Sequence, residues 1–259
     1  MVQLNHKIIG QGEPVILLHG LFGMLDNLQI LAKNLAAQDF MVYLIDQRDH
    51  GKSPRTNRFS YDLLAEDLHD FCMEHWLHHA IIIGHSMGGK TAMQFAVHYP
   101  DIVKKMVVID IGCKAYSGGH REIFEALLSV DLKSISSREE IYLVLKAKLS
   151  DEGVVQFLMK NLFRDKETGL LEWKMNLPLL YKSYPEILKE IDIPESVNVQ
   201  TLFIKGELSD YISERDIPDI KNKFSRTEFE TIKGAGHWVH ADQPEQLTKT
   251  ILHFLQKSQ

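Results

Sequence analysis

Up to Asp110, short apolar runs alternate with segments whose apolar positions recur every three or four residues. Val15–His19, Met41–Asp46, Ala80–Gly84 and Lys105–Asp110 have the length and β-branched content of buried strands. Between them, Asn27–Ala37 puts Leu28, Leu31, Ala32, Leu35 and Ala36 on one helical face. Asp62–Trp76 does the same with Leu64, Leu68, Phe71 and Cys72. Thr91–His98 belongs to a third helix, ended by Pro100. Strand-helix alternation predicts an α/β fold, a mostly parallel twisted sheet with helices on both faces.

The alternation stops after Asp110. Residues 112–194 contain no convincing strand but several amphipathic helical patterns, such as Val155, Leu158, Met159 and Leu162. Strand order resumes at Thr201–Lys205 and Glu228–Lys233, and a last helix carries Leu247, Ile251 and Leu255. A stretch of this length is too long for a plain loop. The expected organisation is a core of residues 1–111 and 195–259 interrupted by a helical insertion at 112–194.

Composition narrows the function classes. The chain has 259 residues, 44% of them hydrophobic and 25% charged. It is thus long enough to bury a full core without disulfides or metal. Its 35 acidic against 29 basic residues give a net charge of −6, which argues against nucleic acid or an anionic membrane surface as partner. No apolar run approaches the 18 or so residues of a membrane span. Cys72 and Cys113 have no metal-ligand spacing and read as buried free thiols, and no secretory leader is visible at the N-terminus. The expectation is a cytoplasmic protein, a monomer or small homo-oligomer.

Candidate chemistry concentrates at residues 84–91, GHSMGGKT, where two patterns overlap. Gly84-His85-Ser86-Met87-Gly88 is G-x-S-x-G, the turn that presents a nucleophilic serine between a strand and a helix. Gly84 to Thr91 also spells G-x-x-x-x-G-K-T, a phosphate-binding loop in which Lys90 would meet a nucleotide. By composition the second pattern is the rarer, so context decides. His19-Gly20-Leu21-Phe22 ends an earlier strand and is placed to lend a backbone N–H to an oxyanion. Gly234-Ala235-Gly236-His237 puts a histidine on a glycine-flanked loop after the last strand. These features favour the serine reading, with nucleotide binding as the alternative.

A serine hydroxyl needs a base, and imidazole suits that task at neutral pH. His237 fills the role by position among thirteen histidines. His240 reads as a packing or capping residue, His19 and His85 as supports of the motifs they flank, and the run Glu74–His79 as a solvated helix end. The imidazole needs a carboxylate to hold its tautomer. Asp110 and Asp210 both qualify, and spacing does not separate them. The backbone N–H groups of Leu21 and Met87 are the candidate oxyanion donors.

The stretches HGLFGMLDNL (19–28), DQRDHGKSP (46–54), GHSMGGK (84–90), VVIDI (107–111), GVVQFLMKN (153–161) and GAGHWVHADQP (234–244) together resemble the α/β-hydrolase superfamily, and within it the YbfF-type bacterial esterases. The resemblance spans nearly the whole chain. It implies a serine hydrolase that cleaves carboxylic esters or acyl thioesters through an acyl-enzyme, with no cofactor and no metal; another chemistry of the fold, such as carbon–carbon bond hydrolysis, is the alternative. It also implies Ser86, His237 and Asp110 as the catalytic set, with Ser209 as a hydrogen-bonding fourth member. The chain departs from the pattern at Asp210, which restores a carboxylate in the superfamily's more usual place. The insertion then reads as a lid. Phe124, Leu127, Leu128, Phe157, Leu158, Leu162, Trp173 and Leu177 are candidates to line an acyl pocket or to pack the lid, with Trp238 beside the histidine. His120 and Arg121 are candidates for a polar head group or a surface pair.

Overall fold

A computed structural model describes residues 2–135 and 137–257. Its first half runs β1 (His6–Ile9), β2 (Glu13–Leu18), α1 (Gln29–Ala36), β3 (Phe40–Ile45), α2 (Tyr61–Glu74), β4 (Ala80–His85), α3 (Met87–His98) and β5 (Val103–Ile109). The second half holds α4 (Arg121–Leu128), α5 (Arg138–Lys148), α6 (Glu152–Met159), β6 (Leu162–Arg164), β7 (Leu171–Trp173), α7 (Leu177–Lys182) and α8 (Tyr184–Leu188). It closes with β8 (Thr201–Gly206), α9 (Ile217–Lys223), β9 (Thr227–Ile232), α10 (Val239–Asp242) and α11 (Pro244–Gln256).

Seven strands form one sheet in the order β1-β3-β2-β4-β5-β8-β9. All neighbours are parallel except β1, which pairs antiparallel with β3 along one edge. The central strands are buried on both sides because successive side chains face opposite layers. In β2, Ile16 and Leu18 join Leu64, Leu68 and Phe71 of α2 and Phe95 of α3. Val15 and Leu17 face the other way, into Leu31 and Leu35 of α1 and Leu247, Ile251 and Phe254 of α11. Each such side chain contributes about 1.5–3 kcal/mol on burial, which makes the sheet a rigid platform for its loops.

Three strands differ from the sequence expectation. His6–Ile9 is a strand, although it is short and largely exposed, with no buried face to show in its pattern. Within 112–194, Leu162–Arg164 and Leu171–Trp173 pair as an antiparallel hairpin, where no strand was expected. Three residues per strand are too few for a period of two to register in sequence. The rest of the insertion is helical and leaves the sheet after β5 and returns before β8. Its helices carry local start signals: Ser137 accepts from Glu140 N–H, and Asp151 from Val154 N–H.

Candidate active site

The turn between β4 and α3 is set by what its glycines exclude. A Cβ on Gly84 would lie 2.1 Å from the Gly88 carbonyl oxygen, and one on Gly88 would lie 2.3 Å from that of Leu18. The chain therefore closes tightly, and Ser86 takes φ +53° and ψ −119°, a strained conformation for a residue with a Cβ. Ser86 stands at the N-cap of α3, where serine ordinarily bonds the first helical N–H groups for about 1 kcal/mol. Here it makes no such bond. Its Oγ lies instead 3.0 Å from His237 Nε2.

His237 reaches this position from the loop after β9. Gly206 ends β8 where a Cβ would meet the Gly236 carbonyl oxygen at 2.3 Å, so the two loops touch backbone to backbone. Leu208 N–H donates to Ala235 O at 2.9 Å, and Gly236 N–H donates to Asp242 at 2.8 Å. The imidazole is clasped on three sides. Its Nδ1 is 2.7 Å from Asp110 Oδ2, its backbone carbonyl accepts from His85 Nε2–H at 2.8 Å, and Tyr211 stacks on its face.

Asp110 follows β5 with φ +51° and is fully buried. Its carboxylate accepts from Gly206 N–H at 2.9 Å and from the Ser209 hydroxyl. An ionised carboxylate offers only acceptor sites, so the third donor is His237 Nδ1–H. That leaves Nε2 bare to accept from Ser86. Asp210 is solvent-exposed. Ser209 was expected beside the acid, and Gly206 and Tyr211 had no signal in sequence.

Leu21 and Met87 both border the space beside Ser86. Met87 is the first residue of α3, where the helix leaves N–H groups without intrahelical partners. The Leu21 loop is held by His19, whose Nε2 accepts from Gln47 N–H at 3.0 Å, so Nδ1–H donates to Gly20 O at 2.8 Å. Gly23 N–H donates to the same carbonyl at 2.9 Å. Fixing the Gly20 carbonyl also fixes the N–H of Leu21, which belongs to the same planar peptide.

Two clefts meet at Ser86. One runs past His237, Trp238, His240, Phe157 and Ile123. The other runs over Met87, Ile111 and Tyr211 to Lys90. Leu21 and His120 border both. Burial drives His120 and His240 down to about 4, and His85 well below its usual value, so these rings are neutral at neutral pH.

Of the insertion residues that were candidates either to line an acyl pocket or to pack the lid, Phe157 lines a cleft, Phe124, Leu127, Leu158, Leu162, Trp173 and Leu177 are buried in the core, as the packing reading has it, and Leu128 is exposed. The buried side chains join one core cluster with Phe22 and Ile111. His120 points into the site while Arg121 is exposed, so the two are not a pair. The phosphate-loop reading also fails. Helix α3 begins at Met87, so Gly88 to Thr91 are helical and no loop of free N–H groups remains to cradle a phosphate.

Comparison with known proteins identifies the family. Residues 13–134 match the model of the alpha/beta hydrolase fold. The chain is 38% identical to Esterase YbfF of Escherichia coli (strain K12), over 94% of this chain and 93% of that one. It is 34% identical to an sn-1-specific diacylglycerol lipase of Danio rerio, over 95% of this chain and 80% of that one. A solved structure, a marine microorganism esterase, superposes with a TM-score of 0.95 at 44% identity, covering 98% of this chain and all of that one. The chain belongs to the α/β hydrolase family. Its relatives there include proteins named as esterases and lipases.

Proposed function

We propose that the protein is a serine hydrolase that cleaves carboxylic esters, and acyl thioesters by the same route, through an acyl-enzyme on Ser86. The observation that carries this is the single imidazole of His237, 3.0 Å from Ser86 Oγ and 2.7 Å from Asp110 Oδ2. As Ser86 Oγ attacks the ester carbonyl carbon, its proton passes to His237 Nε2. The negative charge that develops on the carbonyl oxygen is met by the N–H groups of Leu21 and Met87, and the positive end of α3 adds to their effect. His237 then gives the proton to the departing alcohol or thiol, and the acyl group remains on Ser86. Water entering on the same side loses a proton to His237 as it attacks the acyl carbon, and His237 then passes that proton to Ser86 Oγ as the acyl–Oγ bond breaks and the acid leaves. Asp110 stays ionised throughout and stabilises the imidazolium. Ser209 and Gly206 hold it in place.

The clefts divide the substrate by this chemistry. The leaving group must stand beside the imidazole that protonates it, so it occupies the cleft of His237, Trp238 and Phe157. The acyl chain stays with the oxyanion donors and takes the cleft floored by Met87.

Residues 112–194 act as a lid over both. Three polar ties support that role: Asn161 Nδ2–H to Phe22 O at 2.6 Å, Asn176 Nδ2–H to Asp49 at 2.8 Å, and Arg55 to Trp173 O at 2.6 Å. Among the described residues no helix is long and apolar enough to cross a membrane. Cys72 and Cys113 are free and buried, which suits a reducing cytoplasm.

Treatment with a fluorophosphonate, followed by intact-mass analysis and peptide mapping, tests the reading. One adduct on Ser86 is expected, absent in Ser86→Ala. Folded protein that takes no adduct defeats it.

A further inference from the structure

Lys90 is the part of the GHSMGGKT turn that the hydrolytic mechanism leaves unused. Its side chain is 1% exposed. It sits one helical turn after Ser86, with its backbone N–H donating to the Ser86 carbonyl at 3.1 Å. Its ammonium lies at the far end of the acyl cleft. There it donates to the carbonyl of Lys189, lies 3.4 Å from that of Leu188, and stands over the rings of Tyr116 at 4.9 Å and Tyr61 at 5.6 Å.

Among the described residues no carboxylate comes within ion-pair distance of this cation, and the charge of Glu190 acts on it only from further off. The two phenols cannot supply a charge, because burial pushes both far above their usual range. Their hydroxyls are also committed elsewhere: Tyr61 donates to Ile187 O at 2.8 Å and Tyr116 to Tyr211 O at 2.9 Å. The result is a desolvated ammonium whose direct partners are dipoles and ring faces, and burial outweighs the distant charge of Glu190 to pull its pKa down to about 8. A buried charge left unpaired is costly, and a carboxylate brought alongside it recovers that cost. The rest of the cleft wall, with Leu21, Met87, Ile111 and Ile187, suits methylene groups.

We propose that Lys90 is the anion-binding end of the acyl cleft, and that the preferred substrates are half-esters of dicarboxylic acids, whose acyl chain ends in a carboxylate. The proposal rests on the acyl-enzyme reading above. One helical turn advances 5.4 Å, so a chain of roughly four to six carbons spans from the carbonyl held at Ser86 to the ammonium. A lysine present merely to tie down residues 188–189 would affect all substrates alike.

The test compares p-nitrophenyl butyrate with the mono-p-nitrophenyl ester of succinic acid at pH 7, using the full chain and Lys90→Met. In the native protein kcat/KM is expected to favour the succinyl ester. In the variant the succinyl-to-butyryl ratio falls by roughly 10- to 100-fold, mainly through KM, as expected for loss of a charge-assisted hydrogen bond. An unchanged ratio overturns the proposal even if both rates fall. A second measurement needs no variant: free succinate should inhibit butyrate-ester hydrolysis by the native protein at least tenfold more strongly than butyrate does, and equal inhibition overturns the proposal. Inertness of the native protein toward both esters would overturn the hydrolase reading itself. Activity on the butyryl ester with no preference for the carboxylate removes only the role of Lys90.

Discussion

The ring of Tyr211 lies flat against the imidazole of His237, with centroids 3.9 Å apart and planes inclined by 15°. Stacking restrains the imidazole about the one axis that its hydrogen bond to Asp110 leaves loose. Aromatic pairs of this kind add about 0.5–1.5 kcal/mol beyond the area they bury. Tyr211→Ala should lower kcat roughly tenfold with a smaller change in KM, while Tyr211→Phe stays within about twofold. Steady-state kinetics of the two variants decide the matter, and equal losses in both would show that the phenol hydroxyl matters rather than the stack.

The choice between acids has a direct test. Asp110 is buried under three donors, and Asp210 faces solvent. Asp110→Asn should cost on the order of 10³–10⁴ in kcat, because the amide no longer holds the Nδ1–H tautomer. Asp210→Asn should change kcat by less than about threefold. Rates for the pair, with circular dichroism to confirm folding, are sufficient; a reversed ranking would overturn the assignment.

Asn161 links residues 112–194 to the loop that carries Leu21 and Phe22. Its fully buried side chain donates to the carbonyl of Phe22, a residue with φ +60°. Asn161→Ala leaves that carbonyl without its donor, at a cost of about 1–3 kcal/mol. Urea unfolding should report that loss. Because Phe22 adjoins Leu21, kcat should fall more than KM rises. A variant as stable and as fast as the native protein would mean that the tie is incidental.

Acid should destabilise the protein well before its carboxylates titrate. Burial lowers His50 to about 3, His120 and His240 to about 4, and also depresses His19 and His85. In the unfolded chain these rings titrate near 6.5. As pH falls below that value the unfolded state binds protons that the folded state refuses. Stability is therefore complete above about 6.5 and is lost as pH drops toward the folded values. Each histidine steepens the loss by up to about 1.4 kcal/mol per pH unit. Calorimetry at pH 7 and pH 5, at matched ionic strength, should show Tm lower by on the order of 10 °C at pH 5. A flat Tm would contradict the neutral state of the buried rings.

The sheet-and-helix order was legible in the chain because its signals are local. A strand buried on both faces announces itself as a short β-branched run, and a half-buried helix by its apolar stripe. The tight turn around Ser86 was legible for the same reason: Gly84 and Gly88 are required by contacts with the turn itself and the adjacent end of β2. His237 stood out through the glycines that precede it. The strands that escaped notice, β1 and the β6–β7 hairpin, are three or four residues long, too short for a period to show.

Sequence alone therefore determined the fold class, the serine turn and the histidine loop, each written in a few consecutive residues. Only the tertiary structure decided which carboxylate meets the histidine, since Asp110 and Gly206 come together because β5 pairs with β8 across the insertion. The same holds for Tyr211 on His237, for His120 turned into the site, and for the Lys90 ammonium at the cleft between Tyr61 and Tyr116. These are contacts between residues distant in the chain, set by strand order and by the path of residues 112–194. No local pattern encodes them, because hydrogen-bond and packing geometry exist only once the elements are assembled.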